Sequence, residues 1–339
     1  MAQDGELLSR LAQKCVNAPP VLVIGSGLSA GCGIRGMAEL ASDLEKLVKP
    51  SESDLECWKQ VTSSMRSAGL ERALAEANAT SEPLVQQIAR HTRDMICNDD
   101  LDIFLKLIER KQTLPLSRLF THIFNSTNRL SCVVTTNYDR LIEYSADAAG
   151  FRHHTGFRHG YIRRKCGALS HNAKLNSQLV SIAKVHGSID WFRSPDGIVT
   201  SIPLQLEYPH SLQPAIVTPG SSKYELAHDE PFRSAMHAAD DYLSNASAFF
   251  CVGYGFNDKH IQLKLIERIR DKSCPIVIIS REFTQNARKF ISNECKSDFL
   301  CIERAGNGSN IYTAENPDGF QIDNSDLWNL DSFLDAFIL

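Results

Sequence analysis

The chain has 339 residues, 43% of them apolar, with 36 Lys and Arg against 40 Asp and Glu, giving a formal net charge of 36 − 40 = −4. This balance is ordinary for a folded protein and excludes a binder that holds nucleic acid by overall positive charge. No window approaches the roughly 20 apolar residues of a membrane helix, and the length allows one large α/β domain or a domain with a second lobe.

The chain opens on MAQDGELLSR, acidic and polar, so no secretory signal is expected and the location is read as cytoplasmic. A helix follows through GELLSRLAQKCVNA. VLVIG at 21–25 is a continuous apolar, β-branched run, as a parallel strand buried on both faces requires. GSGLSAGCGIRG comes next, and a helix resumes at MAELASDLEKLVK before Pro50. Residues 39–130 change texture: about five segments space their apolar residues by three or four, with Ser, Asp and Asn at cap positions, so a helical insertion is expected there.

Strand character returns in CVVTTNYD, with a helix from DRLIEYSADAAG. Residues 151–178 begin with the basic, aromatic FRHHTGFRHGYIRRKCG and read as an irregular loop or lobe. The strand LVSIAKVHGS, the short strand AIVTPG and a helix around FRSAMHAADDYLSNA follow. The pattern then runs strand AFFCVGYG, helix DKHIQLKLIERIRD, strand PIVIIS, helix FTQNARKFISN, strand DFLCIE, and a docking helix DSFLDAFIL. Alternation at this spacing predicts α/β class: a Rossmann-like, doubly wound parallel sheet over 1–38 and 131–339 with a helical lobe inserted at 39–130.

The ten cysteines contain no C-x2–4-C pair, so no zinc site is readable and no metal is expected. Several lie in apolar runs, as Cys132 and Cys251 do, and are read as reduced core thiols.

Four segments carry chemistry. In VLVIGSGLSAGCG, Gly25, Gly27 and either Gly31 or Gly33 lie between a buried strand and a helix, where backbone can approach a pyrophosphate; a tight turn without a ligand explains the same glycines. The spacing is neither the dehydrogenase fingerprint nor a P-loop. In VVTTNYDRL, Thr135, Asn137 and Asp139 leave the carboxyl end of a strand, the edge where open α/β sheets bind ligands; Asp139 also suits a helix cap. In AKVHGSIDW, His186 ends a strand before Gly187, placed for a general base or for a structural histidine. In CVGYGFNDKHI, Gly253 and Gly255 follow a strand, and Asn257 and Asp258 are read as caps of the next helix.

In this order the four segments resemble the sirtuin-like family of NAD-consuming proteins. The family's G-A-G-x-S…G-I is matched by Gly25-Ser26-Gly27-Leu28-Ser29 and Gly33-Ile34, its T-Q-N-x-D by Thr135-Thr136-Asn137-Tyr138-Asp139, and its H-G by His186-Gly187. TTNYD, HGSIDW, VTPGSSKY and GYGFNDKHI look most like the bacterial antiviral-defence branch. The deacylase zinc cysteines are absent. Arg35-Gly36-Met37-Ala38 stands in place of P-D-F-R, and Gly253-Tyr254-Gly255 in place of G-T-S.

The resemblance implies NAD as substrate and an NAD glycohydrolase that releases nicotinamide and ADP-ribose, as the effector of an anti-phage system that depletes NAD on activation. His186 and Asn137 would be catalytic. Gly25, Ser26, Gly27, Ser29, Gly33, Thr135, Asp139, Gly187, Gly253, Gly255 and Asn257 would hold NAD, and Ser280 stands where an adenosine-ribose contact is expected. Lys223 could close over phosphate or be a solvated loop lysine. The resemblance also implies a homo-oligomer with an activating partner such as a ring-shaped ATPase, and requires neither membrane nor nucleic acid. An NAD-dependent protein deacylase and a non-catalytic NAD or ADP-ribose binding module are the alternative readings.

Overall fold

The computed structural model describes residues 2–127, 131–166, 178–203, 205–220, 229–272 and 274–338. The segment around Lys223 and residues 167–177 of the basic stretch lie outside the described residues.

The apolar runs form a nine-stranded sheet. Its seven parallel strands are β1 (Val21–Ile24), β2 (Ser131–Thr135), β3 (Arg152–His154), β5 (Leu179–Lys184), β9 (Phe249–Val252), β10 (Ile276–Ser280) and β11 (Phe299–Ala305). An antiparallel hairpin, β12 (Gly308–Thr313) with β13 (Phe320–Asp323), extends one edge, giving the order β13-β12-β11-β10-β9-β1-β2-β5-β3. The chain therefore builds outward from β1 to β2 and beyond, then returns to add β9 on the other side of β1. That reversal is the topological switch point of an open α/β sheet, where a crevice forms at the carboxyl ends of the strands.

Alternation along β1 divides the core. Leu22 and Ile24 face a layer made by α1 (Ala2–Asn17), α7 (Pro115–Thr127), α8 (Leu141–Ala148) and α12 (Leu330–Phe337). Val21 and Val23 face α9 (Phe232–Ser244), α10 (Lys259–Lys272) and α11 (Gln285–Glu294). Side chains of one strand point to opposite faces, and both faces are covered, so the strands read as unbroken apolar runs.

Between β1 and β2 come α2 (Ser26–Cys32), α3 (Met37–Leu47), α4 (Leu55–Ala68), α5 (Leu70–Glu76) and the long α6 (Glu82–Ile108). They share a third core that includes Leu44, Trp58, Val61 and Ile88. Helix α7 falls within the 39–130 stretch by sequence, yet Leu119, Phe120 and Ile123 pack in the first sheet layer with Leu8 and Phe333.

A second, four-stranded antiparallel sheet, absent from the sequence reading, stands beside the large one in the order β4 (Arg163–Arg164), β7 (Val199–Ser201), β6 (Gly187–Arg193), β8 (Gln213–Ile216). The run LVSIAKVHGS, read as one strand, is thus two: β5 ends at Lys184 and β6 starts at Gly187 in the other sheet. The described part of the stretch read as irregular supplies β3 to one sheet and β4 to the other. All ten cysteines are free thiols, six of them buried. Among the described residues no helix is long and apolar enough to cross a membrane.

Candidate active site

The registers place the site residues at one level. Ile24 pairs with Thr135 on one side and with Val252 on the other, and Thr135 pairs with Lys184. Gly25, Asn137, His186 and Gly253 are each one or two residues beyond this rung, so four sequence segments converge at the carboxyl ends of β1, β2, β5 and β9.

The glycines are explained first by how closely two backbones meet. Gly27 N donates to Gly253 O at 3.0 Å and Gly25 N donates to Val252 O at 3.0 Å. A Cβ on Gly25 would lie 2.4 Å from Gly253 O, and one on Gly27 would lie 2.7 Å from Gly253 Cα. Gly33 has φ +113° and closes α2 as its left-handed C-cap, the usual place for glycine. Gly255 lies near Thr284, whose hydroxyl donates to Gly255 O.

Asn137 is tied into this turn. Its Nδ2 donates to Gly25 O at 2.9 Å and to Ser29 Oγ at 2.8 Å, and Ser29 Oγ donates to Asp139 Oδ2 at 2.6 Å. Both amide protons are thereby spent, and Oδ1 is the atom Asn137 has left for a ligand. Asp139 is buried. Its Oδ1 accepts from Leu141 N at 3.2 Å, the cap the sequence allowed. Burial pushes its carboxyl above the ordinary range, against the opposing pull of Lys184 and Ser29. Asp139 therefore anchors Ser29 and the start of α8 instead of presenting an open carboxylate.

Lys184 is fully buried, donating to Asp139 O and pairing with Glu143 Oε1 at 2.9 Å. Thr135 is also enclosed: its hydroxyl donates to Ile24 O and accepts from Asn137 N, joining β1 to β2. Expected as an NAD contact, Thr135 acts in the geometry as an internal brace.

His186 is 8% exposed, and its Nε2 lies 3.0 Å from Asp258 Oδ2. Gly187 has φ +85°, and a Cβ there would meet Ala215 O at 2.2 Å, so only glycine turns the chain from His186 into β6 against β8. Asp258 does cap α10, accepting from Ile261 N at 3.1 Å. Asn257, read as a second cap, is exposed and accepts from Asn286 Nδ2 of α11 at 3.0 Å instead. The imidazole contact of Asp258 was not read from the sequence; the signal was an Asp six residues past a strand that ends at the same rung.

Ser26 and Ser280 lie on the periphery. Ser26 is exposed at the first position of α2. Ser280 ends β10 and donates to Glu282 O at 3.0 Å. Beyond it a polar cavity of about 500 Å³ opens, lined by Arg281, Glu282, Arg288, Glu303 and Arg304. Among the described residues no three His, Cys, Asp or Glu side chains group to hold a metal.

Residues 131–296 match the family model of the SIR2-like domain. This segment carries the Asn137, His186 and Asp258 elements. No curated protein matches the chain by sequence. Among solved structures, the chain is similar to a Sir2 homologue–NAD complex at 13% identity, covering 83% of this chain and 84% of that one, with a TM-score of 0.43. It is similar to an ADP-ribose complex of a mutant Sir2 homologue at 14% identity, covering 83% and 86%, with a TM-score of 0.43. A Sir2 bound to acetylated peptide aligns at 14% identity over 78% of this chain and 82% of that one, with a TM-score of 0.37. These likenesses are loose.

Proposed function

We propose that the chain is an NAD glycohydrolase. What carries this reading is the position of Asn137 and His186, each two residues past the paired Thr135 and Lys184 on neighbouring strands, with Asn137 bonded to the Gly25 turn at the switch point. The SIR2-like match over 131–296 supports NAD as the substrate.

NAD would lie across the crevice with its pyrophosphate at the Gly25–Ser29 turn and its adenosine end toward Ser280. The nicotinamide–ribose bond breaks through an oxocarbenium-like state. The leaving pyridinium takes the bonding electron pair and departs neutral, so no acid is required. Water adds to the ribose carbon and loses a proton. Asn137 Oδ1 orients that water or a ribose hydroxyl, and His186 accepts the proton. General-base help is worth about 10²- to 10⁴-fold. Asp139 serves by holding Ser29, and through it Asn137, in place. The biological setting in this proposal is an anti-phage effector that depletes cytoplasmic NAD, working as a homo-oligomer with an activating partner such as a ring-shaped ATPase.

The test is to incubate the purified protein with NAD, alone and with the protein encoded beside it, and to follow nicotinamide and ADP-ribose by chromatography. Release that needs no peptide, and that falls about 10²-fold or more in His186→Ala and Asn137→Ala, is the expected result. Release that depends on an acylated peptide would transfer the site to deacylation. No release in either setting, or full activity in His186→Ala, overturns the proposal.

A further inference from the structure

The Asp258–His186 contact does something that the cap on α10 does not need. Asp258 follows β9 and His186 follows β5, and in the sheet two strands, β1 and β2, lie between those two. The loop 253–258 therefore brings a carboxylate across the site to meet an imidazole 72 residues distant in sequence. Both groups are nearly enclosed, at 6% and 8% exposure, so the interaction is little screened by water.

The two carboxylate oxygens are assigned separate partners. Oδ1 accepts from Ile261 N at 3.1 Å, which fixes the plane of the group on the first turn of α10. Oδ2 faces His186 Nε2 at 3.0 Å. An ionised carboxylate only accepts hydrogen bonds, and a neutral imidazole carries one proton on one of its two nitrogens. The tautomer of an imidazole is set by the bond its other nitrogen makes.

We infer that Asp258 is the positioning residue of the site: it holds the proton of neutral His186 on Nε2 and so presents the Nδ1 lone pair as the base. This deepens the glycohydrolase reading and rests on it for its kinetic consequence, whereas the tautomer itself does not depend on any activity.

The helix cap makes the substitution pattern unusual. In Asp258→Asn the side-chain oxygen keeps the Ile261 amide, which leaves the NH2 group facing Nε2. A donor there demands a lone pair on Nε2 and drives the proton to Nδ1. In Asp258→Ala the cap is lost but the imidazole is free to sample both tautomers. Asn is thus the milder change for the fold and the harsher one for turnover.

Two measurements on the full-length protein decide the matter. Nitrogen-15 spectra at pH 8 with labelled histidine, with the His186 signal identified by its loss in His186→Gln, should show a protonated Nε2 and an unprotonated Nδ1. The pattern should invert in Asp258→Asn. NAD cleavage should fall more in Asp258→Asn than in Asp258→Ala, through kcat and with KM within about threefold. Tautomer inversion behind a catalytic imidazole lowers turnover by up to about 10⁴-fold. A wild-type His186 protonated on Nδ1, or one unchanged by Asp258→Asn, overturns the assignment whether or not NAD is cleaved. If the tautomers behave as expected and wild-type protein cleaves no NAD, the glycohydrolase reading fails while the positioning role of Asp258 stands.

Discussion

At Gly253 the backbone has φ +57°, and an added Cβ would sit 2.3 Å from Leu28 N and 2.6 Å from Gly27 Cα. Gly31, six residues into α2, has nothing within 4 Å of its Cβ position. Glycines of two similar strand-to-helix segments, one after β9 and one after β1, thus answer to different physics. Gly253→Ala combines a left-handed conformation with overlap against backbone that cannot rotate away, and it should cost roughly 2–4 kcal/mol. Gly31→Ala removes glycine's entropy cost inside a helix and should gain about 0.5–1 kcal/mol. Urea unfolding of both variants checks this, and a Gly253→Ala protein as stable as the wild type would remove the close-packing account of these turns. Glycines in a G-x-G run are not distinguishable by letter; their partners are set by which strand lies alongside.

Single elements also act through charge. Asp190 on β6 is buried. Burial alone would raise its carboxyl, but Arg140, Lys184 and the hydroxyls of Ser188 and Ser201 outweigh it and hold the group below the ordinary 3.8. Ser201 Oγ of β7 donates to Asp190 Oδ2 at 2.7 Å, and Arg140 at the start of α8 is itself clamped by Asp100 of α6 at 2.9 Å. A carboxyl depressed by folding contributes stability that is present above its unfolded value and lost as pH falls through its folded one. Asp190→Asn should therefore cost about 1–3 kcal/mol at pH 7, and the gap from wild type should narrow as pH drops below 3.8. Urea midpoints of the pair at pH 7 and pH 3 test it; a gap that widens in acid would refute the sign.

At this scale the sequence was legible where an element announces its own surroundings. The central parallel strands read clearly because both faces are covered, so VLVI and, up to Ser280, IVII are apolar throughout. The small sheet did not. Its strands are as short as Arg163–Arg164 and Val199–Ser201, and its longest-range pair joins Arg163 to Ser201. The β12–β13 edge was missed although Gly306-Asn307-Gly308 marks the turn before it. Asn137 and His186 stand out in the sequence because each follows an apolar run. The second oxygen of Asp258 was not, because its partner is fixed by strand order and not by neighbours in sequence.

For the molecule as a whole, the question is whether the helices of the 39–130 stretch stand alone. Their core takes in Tyr138, Leu141, Ile189 and Ile216 from outside that stretch. Arg93 of α6 is fully buried, donates to Ile189 O at 3.1 Å, to Leu206 O at 3.3 Å and to Gln205 O, and stacks near Phe192 and Tyr208 at 5.2 and 4.8 Å. Peeling the helices away would break these charge-assisted bonds, at about 1.5–3 kcal/mol each. It would also bare aliphatic side chains worth about 1.5–3 kcal/mol apiece. Partial unfolding of the lobe should therefore cost nearly as much as global unfolding, and the two should merge into one transition. The three tryptophans sample the parts: Trp58 lies in the helical core, Trp191 in the small sheet and Trp328 against the large one. In variants that keep one tryptophan each, with Phe at the other two positions, the fluorescence midpoint in urea should coincide with the far-ultraviolet circular dichroism midpoint of the same variant. An early transition seen by Trp58 alone would make the helical lobe a separate folding unit, free to change conformation while the crevice at the strand ends stays assembled. Coincidence in all three would instead make the lobe one cooperative unit with the loop that carries Asn137 and Asp139, to which the Asp100–Arg140 pair ties it.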